Sequence, residues 1–291
     1  MKFSVIIPTY KRIGFLKKAL ESVAMQVYSN YEIIVVNDNP ADKKEIDDLC
    51  GKLKNTTVIH HVKPRGGNAA RNTGILHSTG DILAFLDDDD IWMPDKLSKH
   101  AAAHHSKPEA GLVFSDCLYV FNNPLMKDDA TSYRINDNVV ELMKTAKFCP
   151  ATSSMVTIRR ACVSTCGVFD ESLSSLQDWD YWFRIAHYYT FEYIPVVLVH
   201  FTQHPGDRTS QNKIKRMKGL QQISCKWKSE IDVRKFSKEL KRDLYYKSAL
   251  NILLTGEKFN AFKTSLSLFK REVFSYQSFK SFSSLLLRSL R

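Results

Sequence analysis

The chain has 291 residues, 44% of them hydrophobic, and a formal net charge of +11. This composition excludes the disordered and fibrous classes of protein. No run of about 18 apolar residues occurs, so we expect no membrane-spanning helix. The six cysteines lack paired spacing and the first residues lack the pattern of a secretory signal, which together predict free thiols and a cytoplasmic location.

The positive charge is concentrated towards the carboxyl terminus. Residues 211–291 hold 19 Lys and Arg against 6 Asp and Glu, a net +13, whereas residues 1–210 hold 23 against 25, a net −2. This split predicts a domain over 1–210 and a basic helical extension over 211–291. We expect no nucleic-acid partner, because binding a phosphate backbone needs a basic surface near the site.

Short apolar runs alternate with segments of helical spacing throughout the first part. The runs predict β-strands at 3–10, 32–36, 57–62, 82–86, 111–121, 151–158 and 192–201. Alternation of this kind predicts an α/β domain with a mostly parallel central sheet. Residues 122–148 lack a clear period, and we predict a loop-rich excursion there that contributes to an acceptor groove. Beyond 210, helical faces are predicted from Ile214, Met217, Leu220 and Ile223, from Phe236, Leu240 and Leu244, and from Phe262, Leu266, Phe269 and Val273.

Four consecutive aspartates follow the fourth predicted strand. They lie at its carboxyl end, which is where open parallel sheets bind ligands. Because each carboxylate raises the pKa of its neighbours, a divalent cation such as Mg²⁺ or Mn²⁺ is the natural partner. In an extended chain, Asp87 and Asp89 would point to one side and Asp88 and Asp90 to the other. The alternative is a solvated acidic turn that caps the following helix.

Further polar residues fall at strand ends and helix starts. Pro8, Thr9 and Tyr10 end the first predicted strand, and Asp38 ends the second. The Gly66-Gly67 pair opens a helix whose free amide groups favour phosphate, and an arginine at position 71 adds a cation one turn later. A plain turn is the alternative for the glycine pair.

In this order, these motifs resemble the family 2 glycosyltransferases, inverting enzymes with the nucleotide-binding fold called GT-A. The resemblance covers roughly residues 2–209. The motifs that carry it are Val-Ile-Ile-Pro-Thr-Tyr, Glu-Ile-Ile-Val-Val-Asn-Asp, Gly-Asn-Ala-Ala-Arg-Asn-Thr-Gly, Phe-Leu-Asp-Asp-Asp-Asp and Gln-Asp-Trp-Asp-Tyr-Trp. Asn37 and Gln177 replace an Asp and a Glu that are frequent in the family. The Gln-x-x-Arg-Trp motif of processive members is absent, so we expect one sugar to be transferred per encounter.

The resemblance implies a role for each matching residue. Pro8, Thr9, Tyr10 and Asp38 would contact the nucleoside. Arg71 would lie near the base or the phosphate, and His204 and Arg208 would contact the diphosphate. Asp87, Asp88 and Asp89 match an Asp-x-Asp motif, in which Asp87 contacts ribose and Asp89, with Asp87, holds Mn²⁺ or Mg²⁺. Asp178 matches the catalytic base.

A base at position 178 also agrees with the residues around it. Trp179 and Trp182 would make the surroundings of Asp178 less polar and raise its pKa, which suits a group that accepts a proton. The alternative role for Asp178 is the N-cap of the helix that starts there.

The predicted function is metal-dependent, inverting transfer of one sugar from a UDP-linked donor to a hydroxyl of a glycan acceptor. The expected acceptor is a polyprenyl-diphosphate-linked oligosaccharide of bacterial O-antigen or capsule synthesis, at the inner face of the cytoplasmic membrane. Two alternatives are a sugar-phosphate nucleotidyltransferase and a non-catalytic basic module that binds membrane or nucleic acid. The helices of 211–291 have three open roles: peripheral membrane contact, packing on the catalytic domain, and contact with a second subunit in a homodimer.

Overall fold

The structure is a computed structural model that describes residues 1–121, 129–130, 138–146, 149, 152–203 and 212–241. The strands are β1 (Phe3–Thr9), β2 (Tyr31–Asn37), β3 (Thr56–His60), β4 (Ile82–Phe85), β5 (Ile91–Trp92), β6 (Ala110–Phe121), β7 (Asp129–Ala130), β8 (Val156–Arg159) and β9 (Thr190–Gln203). The α-helices are α1 (Ile13–Ala24), α2 (Lys43–Cys50), α3 (Gly67–His77), α4 (Lys96–Ser106), α5 (Val139–Lys144), α6 (Ala161–Cys166), α7 (Gln177–Ala186) and α8 (Lys213–Lys226). Residues 233–241 are also helical, and 3₁₀ turns occur at Pro40–Asp42 and Ser153–Met155.

The described strands form one nine-stranded sheet in the order β3-β2-β1-β4-β8-β6-β9-β5, with β7 beside β6. Strands β3, β2, β1 and β4 are parallel to one another. Beyond β4 the sheet is mixed, because β8 is antiparallel to both β4 and β6 whereas β9 is parallel to β6. The α/β class is thus confirmed, and its parallel half contains the first four predicted strands.

The parallel half is buried on both faces, which explains its continuous apolar runs. Val5 and Ile7 of β1 pack on the α1 side of the sheet. Ile6, which points the opposite way, joins a second core that contains Phe85 and Trp182. Because Thr9 pairs with Asn37 and Ile6 with Phe85, the ends of β1, β2 and β4 lie along one edge of the sheet. The loops that carry the candidate site residues therefore leave the sheet together.

Helix α3 lies unusually close to β1. A Cβ added at Gly74 would stand 2.3 Å from Cγ2 of Ile6, so only glycine fits there without displacement. The helix begins after Gly66, whose φ of +93° favours glycine. Gly74 therefore permits the close approach of α3 to the sheet, and Gly66 permits the backbone conformation at which the helix begins.

The local expectations are met in part. Of the predicted excursion over 122–148, the structure describes residues 129–130 and 138–146, which hold strand β7 and helix α5, and the remainder lies outside the described residues. Ile214 is exposed, whereas Leu220 and Ile223 are buried, so only part of the predicted apolar face of α8 is buried. The six cysteines are free thiols, as predicted.

The beginning of the basic extension packs on the rest of the chain. Leu220 and Ile223 of α8 belong to the same core as α7, and the rings of Trp179 and Phe236 have centroids 4.7 Å apart. Packing on the preceding domain, one of the three open roles, thus holds for the described residues 212–241. The predicted helices beyond 241 lie outside the described residues, and the domain boundary at 210 stays a prediction. Within the part of the chain that the structure describes, no helix is both long enough and apolar enough to cross a membrane.

Candidate functional site

The four aspartates form a tight turn at the carboxyl end of β4. The backbone N–H of Asp90 donates a hydrogen bond to the carbonyl of Asp87 at 3.1 Å. One carboxylate oxygen each of Asp87, Asp89 and Asp90 lies within 4.8 Å of the others. An extended chain would place Asp90 on the same side as Asp88. This expectation is wrong, because the turn places Asp90 beside Asp87 and Asp89. The solvated-turn alternative is also wrong, since Asp88, Asp89 and Asp90 are all buried.

This group of three carboxylates fits a hard divalent cation. Mg²⁺ and Mn²⁺ favour carboxylate oxygens and complete their coordination with water or phosphate oxygens. Among the described residues, no other group of His, Cys, Asp or Glu side chains converges in this way. Asp90 was missed from the sequence, although a run of aspartates is itself a signal for a turn that gathers side chains.

Asp88 faces the end of β1 and is held by Thr9 of that strand and by Arg12 in the loop that follows it. The hydroxyl of Thr9 donates to Oδ2 of Asp88 at 2.8 Å, and Nη2 of Arg12 lies 2.8 Å from its Oδ1. Burial raises the pKa of Asp88 to about 7, although the charge of Arg12 opposes the shift. The other nitrogen of that guanidinium, Nη1, donates to Oδ2 of Asp89 at 2.7 Å. Sequence analysis missed Arg12; the available signal was a cation placed directly after β1, at the same sheet edge as four acids.

Helix α3 supplies a second cation to the turn. Nη2 of Arg71 donates to Asp87, and its guanidinium lies 5.7 Å from the ring centroid of Phe169. The backbone N–H of Asp87 also donates to the hydroxyl of Ser154 at 3.0 Å. Next to Arg71, the amide of Asn72 accepts from the N–H of Phe169 and donates to its carbonyl, both at 2.9 Å. Helix α3 therefore connects the aspartate turn to the loop that leads into α7.

Asp178 lies in the first turn of α7 and is half-buried. The residue that caps this helix is Leu176, with a left-handed φ of +64°, so the N-cap alternative for Asp178 is wrong. Its Oδ1 accepts from the N–H of Trp179 at 2.9 Å. Burial raises the pKa of Asp178, and the charges of Arg71 and Asp87 also act on it. Asp178 and the aspartate turn are therefore within electrostatic reach of each other.

Asp38 organises the loop before α3. Its Oδ1 accepts from the N–H of Arg65 at 2.8 Å and lies 2.7 Å from Nδ1 of His61, and its Oδ2 accepts from the N–H of Gly66 at 2.7 Å. Since a carboxylate offers about four acceptor positions, one remains for a nucleoside base. The preceding residue, Asn37, folds the loop by exchanging hydrogen bonds with the backbone of residue 39.

The remaining residues implied by the resemblance fall into two groups. Pro8 and Tyr10 lie at the same sheet edge as the aspartate turn, and Tyr10 is 42% exposed beside the ammonium of Lys11. His204 and Arg208 lie outside the described residues. The structure thus brings together the ends of β1, β2 and β4, the start of α3 and the start of α7.

A parallel half-sheet has an aspartate turn at its carboxyl edge, and a helix beside it carries Asp178 in its first turn. This is the arrangement of the GT-A fold. Residues 4–160 match the family described as Glycosyl transferase family 2. This chain belongs to that family, and it is a glycosyltransferase. The nucleotidyltransferase and the non-catalytic binding module are therefore not retained.

Comparison with individual proteins agrees with this assignment. YwdF of Bacillus subtilis, an uncharacterized glycosyltransferase, is 30% identical over 234 residues, which make up 78% of this chain and 84% of that protein. The crystal structure of S. aureus TarS 1–349 in complex with UDP-GlcNAc has a TM-score of 0.59 at 17% identity, covering 87% of this chain and 81% of that one. The mannosyltransferase PcManGT from Pyrobaculum calidifontis, in complex with GDP-Man and Mn²⁺, has a TM-score of 0.61 at 17% identity, covering 99% and 86%. At these identities the two structures support the fold alone.

Proposed function

We propose that this protein moves one sugar from a UDP-linked donor to a hydroxyl of a glycan acceptor, with inversion at the anomeric carbon and with a divalent cation. The observation that carries the proposal is the division of the carboxylates between two environments on either side of Arg71. Three of them converge at the aspartate turn, whereas Asp178 lies outside that group, in the first turn of α7, and has a raised pKa. Carboxylates whose environments separate their pKa values take different roles in a reaction.

The aspartate turn is the part of the site that would hold the cation. Asp89 and Asp87 are the proposed ligands, and the geometry adds Asp90 as a third. A bound Mn²⁺ or Mg²⁺ would supply Lewis-acid stabilisation of the charge that develops on the leaving diphosphate. Arg71 orients Asp87, and the amide groups at the start of α3 offer donors for phosphate oxygens.

Asp178 is proposed as the general base. It accepts the proton of the acceptor hydroxyl while the hydroxyl oxygen bonds to the anomeric carbon and the bond from that carbon to the diphosphate breaks. A single displacement of this kind inverts the anomeric configuration. The raised pKa of Asp178 makes it a better proton acceptor than an exposed carboxylate at neutral pH.

The donor and acceptor are proposed from the related folds and from the charge of the basic extension. Related folds hold UDP-GlcNAc and GDP-Man, which supports a nucleotide-sugar donor contacted by Pro8, Thr9, Tyr10 and Asp38. His204 and Arg208 remain proposed diphosphate contacts. The net charge of +13 over 211–291 supports a polyprenyl-diphosphate-linked acceptor at the inner face of the cytoplasmic membrane. Contact with the membrane or with a second subunit is proposed for the part of the extension beyond 241.

Transfer and donor-hydrolysis assays test the proposal. A thermal-shift panel of nucleotide sugars with Mn²⁺ first selects the donor, and turnover is then measured with and without EDTA. We expect chelation to abolish turnover, added Mn²⁺ to restore it, and Asp89→Ala to prevent that recovery. Asp48→Ala, which changes an exposed carboxylate of α2, is the matched control and should behave as the wild type. Turnover that survives both chelation and Asp89→Ala would exclude the metal role.

A further inference from the structure

The side chain of Arg12, which follows β1, contacts the carboxylates of the aspartate turn. Its two terminal nitrogens lie 2.8 Å from Oδ1 of Asp88 and 2.7 Å from Oδ2 of Asp89. Nη1 donates a hydrogen bond to Asp89 and Nη2 is in ion-pair contact with Asp88, so the guanidinium bridges the two carboxylates. Asp89 is also a member of the group of three carboxylates that fits a divalent cation. One carboxylate therefore belongs both to the ion pair and to the cation site.

A guanidinium and a divalent cation are poor neighbours on one carboxylate. Both are positive, and at contact distances in a partly buried site their repulsion is screened far less than in water. The arginine nitrogen already donates a hydrogen bond to Oδ2 of Asp89. The two cations are thus alternative partners of Asp89.

The position of Arg12 in the chain allows it to move. It directly precedes α1, so its side chain can rotate away without breaking a helix or a strand. A third of the side chain is exposed, which leaves a path out of the turn. The Thr9 hydroxyl bond to Asp88 does not involve Arg12, so Asp88 keeps a partner when the guanidinium leaves.

We propose that Arg12 is an internal counter-ion that neutralises the aspartate turn in the cation-free protein and releases Asp89 when a divalent cation binds. This inference rests on the proposed metal site and adds to it that cation binding is an exchange. The wild-type protein therefore binds the cation more weakly than its carboxylates alone would. Removal of the arginine charge should strengthen cation binding.

The experiment is a titration of the full-length protein with MnCl₂ at pH 7.5 without nucleotide, with free Mn²⁺ followed by electron paramagnetic resonance. Arg12→Gln removes the competing charge. Lys11→Gln is the matched control, because it removes an equal charge one residue away, from a side chain whose ammonium lies over the ring of Tyr10. Asp89→Asn in the wild-type and Arg12→Gln backgrounds identifies the site. Arg12→Lys, which keeps the charge without the two-pronged contact, serves if Arg12→Gln does not fold.

We expect Arg12→Gln to bind Mn²⁺ about tenfold more tightly than the wild type, the size of effect that follows from removing one charged hydrogen-bonded competitor. Lys11→Gln should change the affinity by less than about twofold, Arg12→Lys should fall between wild type and Arg12→Gln, and Asp89→Asn should weaken binding in both backgrounds. Equal or weaker binding by Arg12→Gln, or an equal gain from Lys11→Gln, would overturn the exchange and leave the proposed function standing. If no protein binds Mn²⁺, both the exchange and the metal role fail.

Discussion

The close approach of α3 to β1 leads to a quantitative prediction for Gly74. In Gly74→Ala the new methyl group would stand 2.3 Å from Cγ2 of Ile6, and 3.3 Å from its Cβ and Cγ1. Ile6 is fully buried within β1, so it has no solvent into which to move. The helix must therefore shift away from the sheet, and the shift carries Arg71, one turn earlier on α3, away from Asp87.

Two opposing effects set the size of the change. Overpacking of a dense core costs about 1–3 kcal/mol. Alanine is favoured over glycine inside a helix by about 1 kcal/mol. We therefore expect the free energy of unfolding to fall by up to about 2 kcal/mol in Gly74→Ala. Gly14→Ala in α1 is the matched control, because nothing lies within 4 Å of its added Cβ; it should be neutral or stabilising by up to about 1 kcal/mol.

Urea unfolding followed by circular dichroism measures both free energies, with Ile6→Ala and the double variant Ile6→Ala, Gly74→Ala completing a cycle. Since Ile6→Ala removes the atom that clashes, the double variant should lose less than the two single losses combined. A Gly74→Ala protein as stable as Gly14→Ala, or additive losses in the cycle, would show that α3 does not approach β1 as closely as the structure has it.

Three further predictions concern proton transfer and stability. Asp178→Asn should lower turnover by about 10²–10⁴-fold with little change in UDP affinity, and loss of UDP binding would contradict a base role. Because burial raises the pKa of Asp178, the wild-type rate should begin to fall, as the pH is lowered, at a higher pH than it would with an exposed Asp as the base. For Glu32, burial opposes ionisation, but hydrogen bonds from Lys2, Ser4 and Thr79 lower its pKa to about 2, so the stability it contributes is present above its unfolded pKa and is lost as the pH falls towards 2. Glu32→Gln should therefore destabilise by about 1–2 kcal/mol at pH 7 in urea unfolding, and by less at pH 3; an equal loss at both values would refute the reasoning. Lys226→Met removes contacts of 2.7 Å to Asp170 and 2.9 Å to the buried Asp180; it should cost about 1–2 kcal/mol and speed proteolysis within 212–241, whereas unchanged digestion would mean that the ion pairs do not hold α8.

The strands could be predicted because their signal is local. The runs that became β1, β2 and β4 are apolar on every residue, as strands buried on two faces must be. Strand β5 was missed because two residues, Ile91 and Trp92, carry no periodicity, and the strand exists only through its pairing with β9. Helix α5 was missed because six residues are too few for a helical pattern to stand out.

The candidate site was predicted in its parts. The acids at the end of a buried run, the carboxylates at positions 38 and 178 and the glycine pair before α3 were all visible as residue types at element ends. The hydrogen bonds that Asp38 makes to the 65–66 loop were not, because they join residues far apart in the sequence. The N-cap alternative for Asp178 is wrong because the chain enters α7 through Leu176 in a left-handed conformation, and no local sequence pattern predicts that conformation.

The amino-acid sequence by itself determined where the strands of the parallel half run and which acids stand at their ends, since burial and side-chain type are properties of short segments. Tertiary structure alone decided which charges meet. Arg12 reaches Asp89 across 77 positions of sequence, and a turn rather than an extended strand brings Asp90 into the group. Coulomb energy depends on distance in space, and that distance is set only when the sheet forms and β1 pairs with β4.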